Sequence, residues 1–282
     1  MPRNLRLADV VAALDSLYPP QTAADWDAVG PVCGDPDAEV RTVLFAIDPV
    51  EVVVDEALDI GADLLVTHHP LFLRGTSTVY ADSPKGRVVQ RLVSAQCALV
   101  VAHTNADIAA GGVNDALAAA LGLGDSRPLI PSDAGSDGRA GSGRIGTLSS
   151  AMSLGEFAEY VATSLPAVPA GIRIGGDLDR PVRTVAVCGG AGDSYLEAAA
   201  DAGADVYVTA DLRHHYATEH LAAGGPALVD PGHWATEWPW LPLAARLLGE
   251  ALDGGSTVRT HVSTIVTDPW TRVVGTPERN PN

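Results

Sequence analysis

Cysteine, aromatic residues and positive charge are all scarce in this sequence, and no apolar run is long. The three cysteines, Cys33, Cys97 and Cys188, are odd in number and far apart. That spacing argues against a disulfide framework or a zinc knuckle and suits reduced thiols packed as small hydrophobes. Aromatic residues make up 5% of a chain that is 46% hydrophobic, so the core must close largely by close approach of small side chains. Lys and Arg number 18 against 35 Asp and Glu, a net charge of −17. Such a chain repels a phosphate backbone unless a basic stripe is segregated on one face, and here the basic residues are scattered. Nucleic acid is therefore not an expected partner. No apolar stretch reaches the ~18 residues that span a bilayer. The start, Met1-Pro2-Arg3-Asn4-Leu5-Arg6, leads into no apolar segment with a small-residue cleavage site. A soluble, cytoplasmic protein with no membrane partner is expected.

What is present is a repeat. Arg41-Thr42-Val43 recurs as Arg183-Thr184-Val185, and Gly61-Ala62-Asp63 recurs as Gly203-Ala204-Asp205, both at an offset of 142 residues. Ungapped from Arg41 to Thr67, 10 of 27 positions are identical with the second copy, and the matches cluster at strand starts and ends. Each copy reads as a strand, a helix and a strand. Val43 to Ile47 is apolar, Asp48 is placed to cap a helix with Pro49 at its first position, and Gly61 stops that helix before Leu64-Leu65-Val66. The second copy runs through Val185-Ala186-Val187, a helix from about Tyr195 to Ala202, and Val206-Tyr207-Val208.

The expected fold is therefore α/β: two similar lobes related by the repeat, each with a mostly parallel sheet flanked by helices. Residues 1–130 form the first lobe, 131–180 a connecting segment and helix, and 181–282 the second, with a site between them. Pro131 to Arg144 reads as a flexible loop. Ser153 and Glu156 form a capping box for a helix to about Leu165. The end from Gly275 to Asn282 is expected to fray.

Three polar clusters fall just past strand ends: Thr67-His68-His69-Pro70, His103-Thr104-Asn105-Ala106-Asp107, and Asp230-Pro231-Gly232-His233-Trp234-Ala235-Thr236-Glu237. Ligands of open α/β sheets gather beyond the carboxyl ends of the strands, so the clusters point to one rim. Imidazoles and carboxylates there suit Zn, Fe, Mn and similar ions. Adjacent histidines on a strand face opposite ways, but past its end they can diverge to one metal each, and a carboxylate can bridge cations about 3.5–4 Å apart. His233 and Glu237 share a face if helical, although Pro239 and Pro242 suggest that the helix begins only near Glu237. An isolated His-His pair is a poor sign of a metal: His214-His215 reads as structural or near the site, and His220 and His261 as solvated. The offset of 142 places Ala210 and Asp211 opposite His68 and His69, so one composite site fits better than two equivalent ones.

Taken together, these motifs resemble the family of dinuclear-metal proteins known as GTP cyclohydrolase 1 type 2 homologues, the NIF-three-like family. Further shared segments are Trp26-Asp27-Ala28-Val29-Gly30, Gly111-Gly112-Val113-Asn114-Asp115, Gly143-Arg144-Ile145-Gly146 and Val187-Cys188-Gly189-Gly190-Ala191-Gly192. Ala28, Ala106 and Trp234 depart from the family's usual Asn, Leu and Tyr. The resemblance implies that His68, His69, Asp107, His233 and Glu237 ligate two divalent ions (Zn, Fe, Mn or Ni), with Glu237 bridging, His69 and Asp107 on one ion, and His68 and His233 on the other. It also implies a homohexameric ring, a trimer of dimers with its metal sites facing an internal cavity, in the short form that lacks an inserted domain. A metal-dependent hydrolase acting on GTP or another nucleotide or phosphoester is the leading expectation. The alternative is a non-catalytic ring that binds metal or a regulatory partner. His103, Thr67 and Asp230 are candidates to orient ligands or shuttle protons. No glycine-rich loop ending in Gly-Lys-Ser or Gly-Lys-Thr is present to hold a triphosphate.

Overall fold

Strands that are apolar at every position rather than at alternate ones require a sheet covered on both faces, and both sheets of this protein meet that requirement. The computed structural model describes residues 5–132, 138–252 and 258–275. The elements of the first half are α1 (Leu7–Leu17), β1 (Gly30–Cys33), β2 (Thr42–Ala46), α2 (Glu51–Asp59), β3 (Leu64–Thr67), α3 (Pro84–Ser94), β4 (Ala98–Val101), α4 (Thr104–Ile108) and α5 (Val113–Ala120). Then come β5 (Gly124–Pro131), β6 (Gly141–Ser153), α6 (Leu154–Ser164), β7 (Arg173–Gly175), β8 (Pro181–Ala191), α7 (Leu196–Asp201), β9 (Val206–Ala210), α8 (His214–Ala222) and β10 (Ala227–Asp230). The chain closes with α9 (His233–Glu237), α10 (Trp240–Ala251) and β11 (Arg259–Val262).

The first sheet has the order β1-β4-β3-β2-β11, parallel except for β1. Val43, Phe45, Leu64, Val66 and Val100 point to one face, where α1 and α10 cover them; Leu44, Ala46, Leu65 and Leu99 point to the other, under α2 and α3. The second sheet has the order β5-β6-β8-β9-β10-β7 and is mixed rather than mostly parallel, since only the β8–β9 and β9–β10 pairs are parallel. Helices α5 and α6 cover one of its faces, and α7 and α8 the other.

The repeat is visible in hydrogen bonds. Asp63 Oδ2 accepts from the backbone N–H groups of Arg41 and Thr42 at 2.8 and 2.9 Å. Asp205 Oδ2 accepts from Arg183 and Thr184 at 2.9 and 2.8 Å. In each lobe the first residue of the strand pair is thus locked by the same carboxylate, and Gly-Ala-Asp recurs for that reason.

Three expectations need correcting. The residues from 131 to 180 are more than a connector, because β5 and β6 pair with each other and β6 with β8. The second sheet therefore starts at Gly124, and Gly141 to Arg144 lie in a strand rather than a loop; residues 133–137 fall outside the described residues. The chain from 181 onwards does not stay in one lobe, since β11 pairs with β2 and α10 packs in the first core. Helix α2 begins at Glu51 without a side-chain cap, and Asp48 is used elsewhere. The capping box is as expected: Ser153 Oγ accepts from Glu156 N and Glu156 Oε2 from Ser153 N, opening α6. Residues 276–282 lie outside the described residues. No helix among the described residues is long and apolar enough to cross a membrane.

Candidate metal centre

The ladder continues past the end of β3. His68 N–H donates to Ala46 O at 3.1 Å and His69 N–H to Ile47 O at 2.9 Å, so both histidines leave a fixed backbone, with their ring centroids 5.2 Å apart. His68 is wholly buried. The second lobe delivers its share through a turn that needs glycine: Gly232 has φ +94° and donates to Asp230 Oδ1. Helix α9 follows directly, so His233 and Glu237 do share a helical face despite Pro239 and Pro242. Thr236 fastens that helix to β8, donating to His233 O and accepting from Gly190 N. Asn114 joins the helix that carries Asp107 to β8, donating to Asp107 O and accepting from Gly189 N.

His68, His69, Asp107, His233 and Glu237 all meet at this lobe junction. Glu237 Oε1 lies 2.9 Å from His233 Nε2 and 3.5 Å from His68 Nε2, and Oε2 lies 3.1 Å from His69 Nε2. His69 Nε2 and His233 Nε2 are 3.2 Å apart, and His68 Nε2 is 3.7 Å from Asp107 Oδ1. The pairing differs from the one the resemblance implies: His68 goes with Asp107, and His69 with His233.

Each imidazole is held by its other nitrogen. His68 Nδ1 bonds Ala102 O at 2.9 Å, His69 Nδ1 bonds Asp48 Oδ1 at 2.7 Å, and His233 Nδ1 bonds Asp211 Oδ2 at 2.7 Å. This is the arrangement by which proteins orient histidines that ligate metals. Asp211 occupies the place that the repeat assigns to His69, so the second lobe supplies an orienting carboxylate where the first supplies an imidazole. Asp48 and Asp211 are functional residues that the sequence reading missed, and the repeat offset was the one available signal for Asp211.

Of the further candidates, His103 stays at the cluster. It offers a ring atom within 4.8 Å of those of His68 and His69, and its Nδ1 bonds the wholly buried Asp27 carboxylate at 2.9 Å. Burial works against that carboxylate's charge, but bonds from His103 and Thr104 outweigh it and hold its pKa well below the usual range. Thr67 acts on backbone, donating to His69 O. Asp230 pairs with Arg173 and the Gly232 turn, away from the cluster. His214 and His215 stand exposed on α8, and His220 bonds Pro226 O.

The cluster's donor set fits divalent cations. His68 Nε2, Asp107 Oδ1 and Glu237 Oε2 are buried with no hydrogen-bond partner, a costly arrangement unless something binds them. Burial raises the Asp107 pKa. Burial also opposes charge on the imidazoles, yet the Glu237 carboxylate outweighs it and pushes His69 up to about 10 and His233 to about 11. The same attraction, against its own burial, keeps Glu237 well below the usual carboxylate range. Protons here stand in for the positive charge of a metal.

Gly190 is the close neighbour. A Cβ there would lie 2.4 Å from Glu237 Oε1 and 3.0 Å from His233 Nε2, at a φ of +66°. Gly190→Ala is expected to weaken metal binding at least about tenfold, as loss of an orienting group does. Chelator competition measures it, and an unchanged affinity would show that Glu237 and His233 do not hold the metal.

The family described as Duf34/NIF3 (NGG1p interacting factor 3) matches residues 5–269. A Streptomyces coelicolor protein named GTP cyclohydrolase 1 type 2 homolog is 54% identical over 267 residues, 94% of each chain. A Mycobacterium leprae protein of the same name is 36% identical over an alignment of 371 residues that covers 95% of each chain. That alignment exceeds the 282 residues here, so it runs across gaps opposite residues that only the relative has. The crystal structure of a Bacillus cereus protein related to NIF3 superimposes with a TM-score of 0.89 and 28% identity, covering 96% of this chain and 100% of that one.

Proposed function

Because this chain belongs to the Duf34/NIF3 family and both of its lobes contribute to one cluster of imidazoles and carboxylates, we propose that it is a metal-dependent hydrolase. In this reading it holds two divalent ions and acts on a nucleotide such as GTP or on another phosphoester. The observation that carries the proposal is the buried trio of His68 Nε2, Asp107 Oδ1 and Glu237 Oε2, none of which makes a hydrogen bond, set beside His69 and His233, whose Nδ1 atoms are already committed. His68 and Asp107 would hold one ion, His69 and His233 the other, and Glu237 both. Bound in this way, paired divalent cations supply Lewis acidity and lower the pKa of water they bind.

The protein's own groups position and shield. Asp48 and Asp211 fix the tautomer and direction of His69 and His233. His68, walled by Trp240 at 5.4 Å between ring centroids, keeps the inner side dry, so a substrate must approach from the side of His69 and His233. His103, held by Asp27, stands beside the cluster as the nearest group able to pass a proton to or from a reacting oxygen.

The test is turnover. Purified protein with its metal content measured is incubated with GTP and a panel of phosphoesters, beside His69→Ala. Metal-dependent product that falls at least about 100-fold in the variant is expected, the size of a lost general acid, base or metal contact. Absence of product with every metal, or equal activity in His69→Ala, would leave a protein that binds metal without catalysis.

A further inference from the structure

Next to the cluster lies a cavity of about 490 Å³, within the size range of small-molecule sites. His69 and His233 border it on one side. Trp270 and Arg272, on the segment that follows β11, and Arg173 of β7 border it as well. Trp270 is 65% exposed, an unusual position for a large indole, and no ring of the described residues stacks on it.

The charges around the cavity separate into committed and free. Asp48 bonds His69 and Thr267, Asp211 bonds His233, Asp230 pairs with Arg173, and Asp268 accepts from the Trp270 backbone. Every carboxylate bordering the cavity thus has a donor. Arg272 is the exception among the charged groups: no carboxylate or carbonyl of the described residues binds its guanidinium. The cavity therefore presents a flat aromatic face and one uncommitted cation to whatever approaches His69 and His233.

We propose that this cavity binds a planar heteroaromatic carrying a single anionic group, with the ring on Trp270 and the anion on Arg272. A nucleoside monophosphate is the simplest such ligand. Apart from the ion that His69 and His233 would hold, a triphosphate meets four aspartates and, among the described residues, no second side-chain cation free of a carboxylate partner. The proposal deepens the hydrolase reading and rests on it for the ligand's being a substrate; binding itself requires only the cavity.

The experiment titrates the full-length protein, as purified, with guanosine, GMP and GTP, following tryptophan fluorescence and the heat of binding. GMP is expected to bind about tenfold tighter than guanosine, the worth of one charge-assisted contact, and GTP no tighter than GMP. Arg272→Gln should remove the preference for GMP over guanosine. Trp270→Leu should weaken both by about tenfold, as loss of a stacking face does. Both residues are exposed, so folding should survive either change, with metal content the same as in the parent chain. No saturable GMP binding, GMP binding unaffected by either variant, or GTP more than tenfold tighter than GMP would overturn the proposal. A protein that turns over phosphoesters yet fails these titrations keeps the hydrolase reading and loses this one. A protein that binds GMP through both residues and converts nothing keeps this one and loses the hydrolase.

Discussion

Glu237→Gln is expected to strip the protein of metal. The substitution keeps volume and shape but replaces a carboxylate that faces His68, His69 and His233 within 3.5 Å by a neutral amide, which makes a poor bridge between cations. An orienting partner contributes about 10- to 100-fold to metal affinity; a shared ligand should contribute more, so the loss should exceed 100-fold. Elemental analysis of the untagged variant checks it, with a thermal melt to show that the fold persists. Retention of the parent's metal content would remove Glu237 from the site.

The same change has a signature without metal. In the parent chain the imidazoles of His69 and His233 are pushed up to about 10 and 11, chiefly against their burial and by Glu237. Their folded values exceed the ordinary 6.5, so their contribution to metal-free stability is complete below about pH 6.5 and declines as pH rises towards those values. Loading at pH 7–8 must then expel protons, which a pH indicator in weak buffer registers. In Glu237→Gln the raising partner is gone, the imidazoles titrate lower, and the proton release should shrink.

Arg144→Ala is expected to cause the largest loss of stability. The side chain is 1% exposed and holds Asp115 through Nε and Nη2 at 2.5 and 2.9 Å. It also binds the carbonyls of Gly141 and Gly143 at 2.7 Å and of Ala109 at 3.3 Å. Truncation leaves the largely buried Asp115 carboxylate with the Gly111 N–H as its remaining donor and frees several carbonyls, a loss of about 3–5 kcal/mol and roughly 6–20 °C in Tm. The double variant Arg144→Met, Asp115→Leu should be less destabilised than Arg144→Ala, because no buried charge is left alone. Equal or greater damage in the double variant would show that the carbonyl contacts, not the ion pair, dominate.

How much of this was readable beforehand depends on whether the residue worked locally. The β-α-β units, the Ser153–Glu156 box and the composite site were legible because they depend on periodicity, caps and a repeat. That the candidate ligands cluster was legible because each lies in the stretch that follows a strand, where the topology brings them to one rim. Asp48 was misread because a carboxylate before Pro49 is an equally good helix cap; only the distance to His69, 21 residues away, decides its use. The mixed second sheet was missed because antiparallel β5 and β6 carry Gly, Ser and Asp at their junction, the composition of a loop. The pairing of β11 with β2 spans more than 200 residues, and no local pattern encodes such a partner.

That last pairing has a consequence for synthesis. Helix α10 covers Val43 and Phe45, and β11 completes the edge beside β2, yet both are made after the whole second sheet. At about 5–20 residues per second, the roughly 140 residues from Gly124 to Val262 occupy a ribosome for some 7–30 s. Throughout that interval the first sheet waits with one apolar face covered by α1 alone and one edge open, while β5 to β10 can already pair among themselves. The middle of the chain matures first, and the N-terminal half is finished by the chain's last strand.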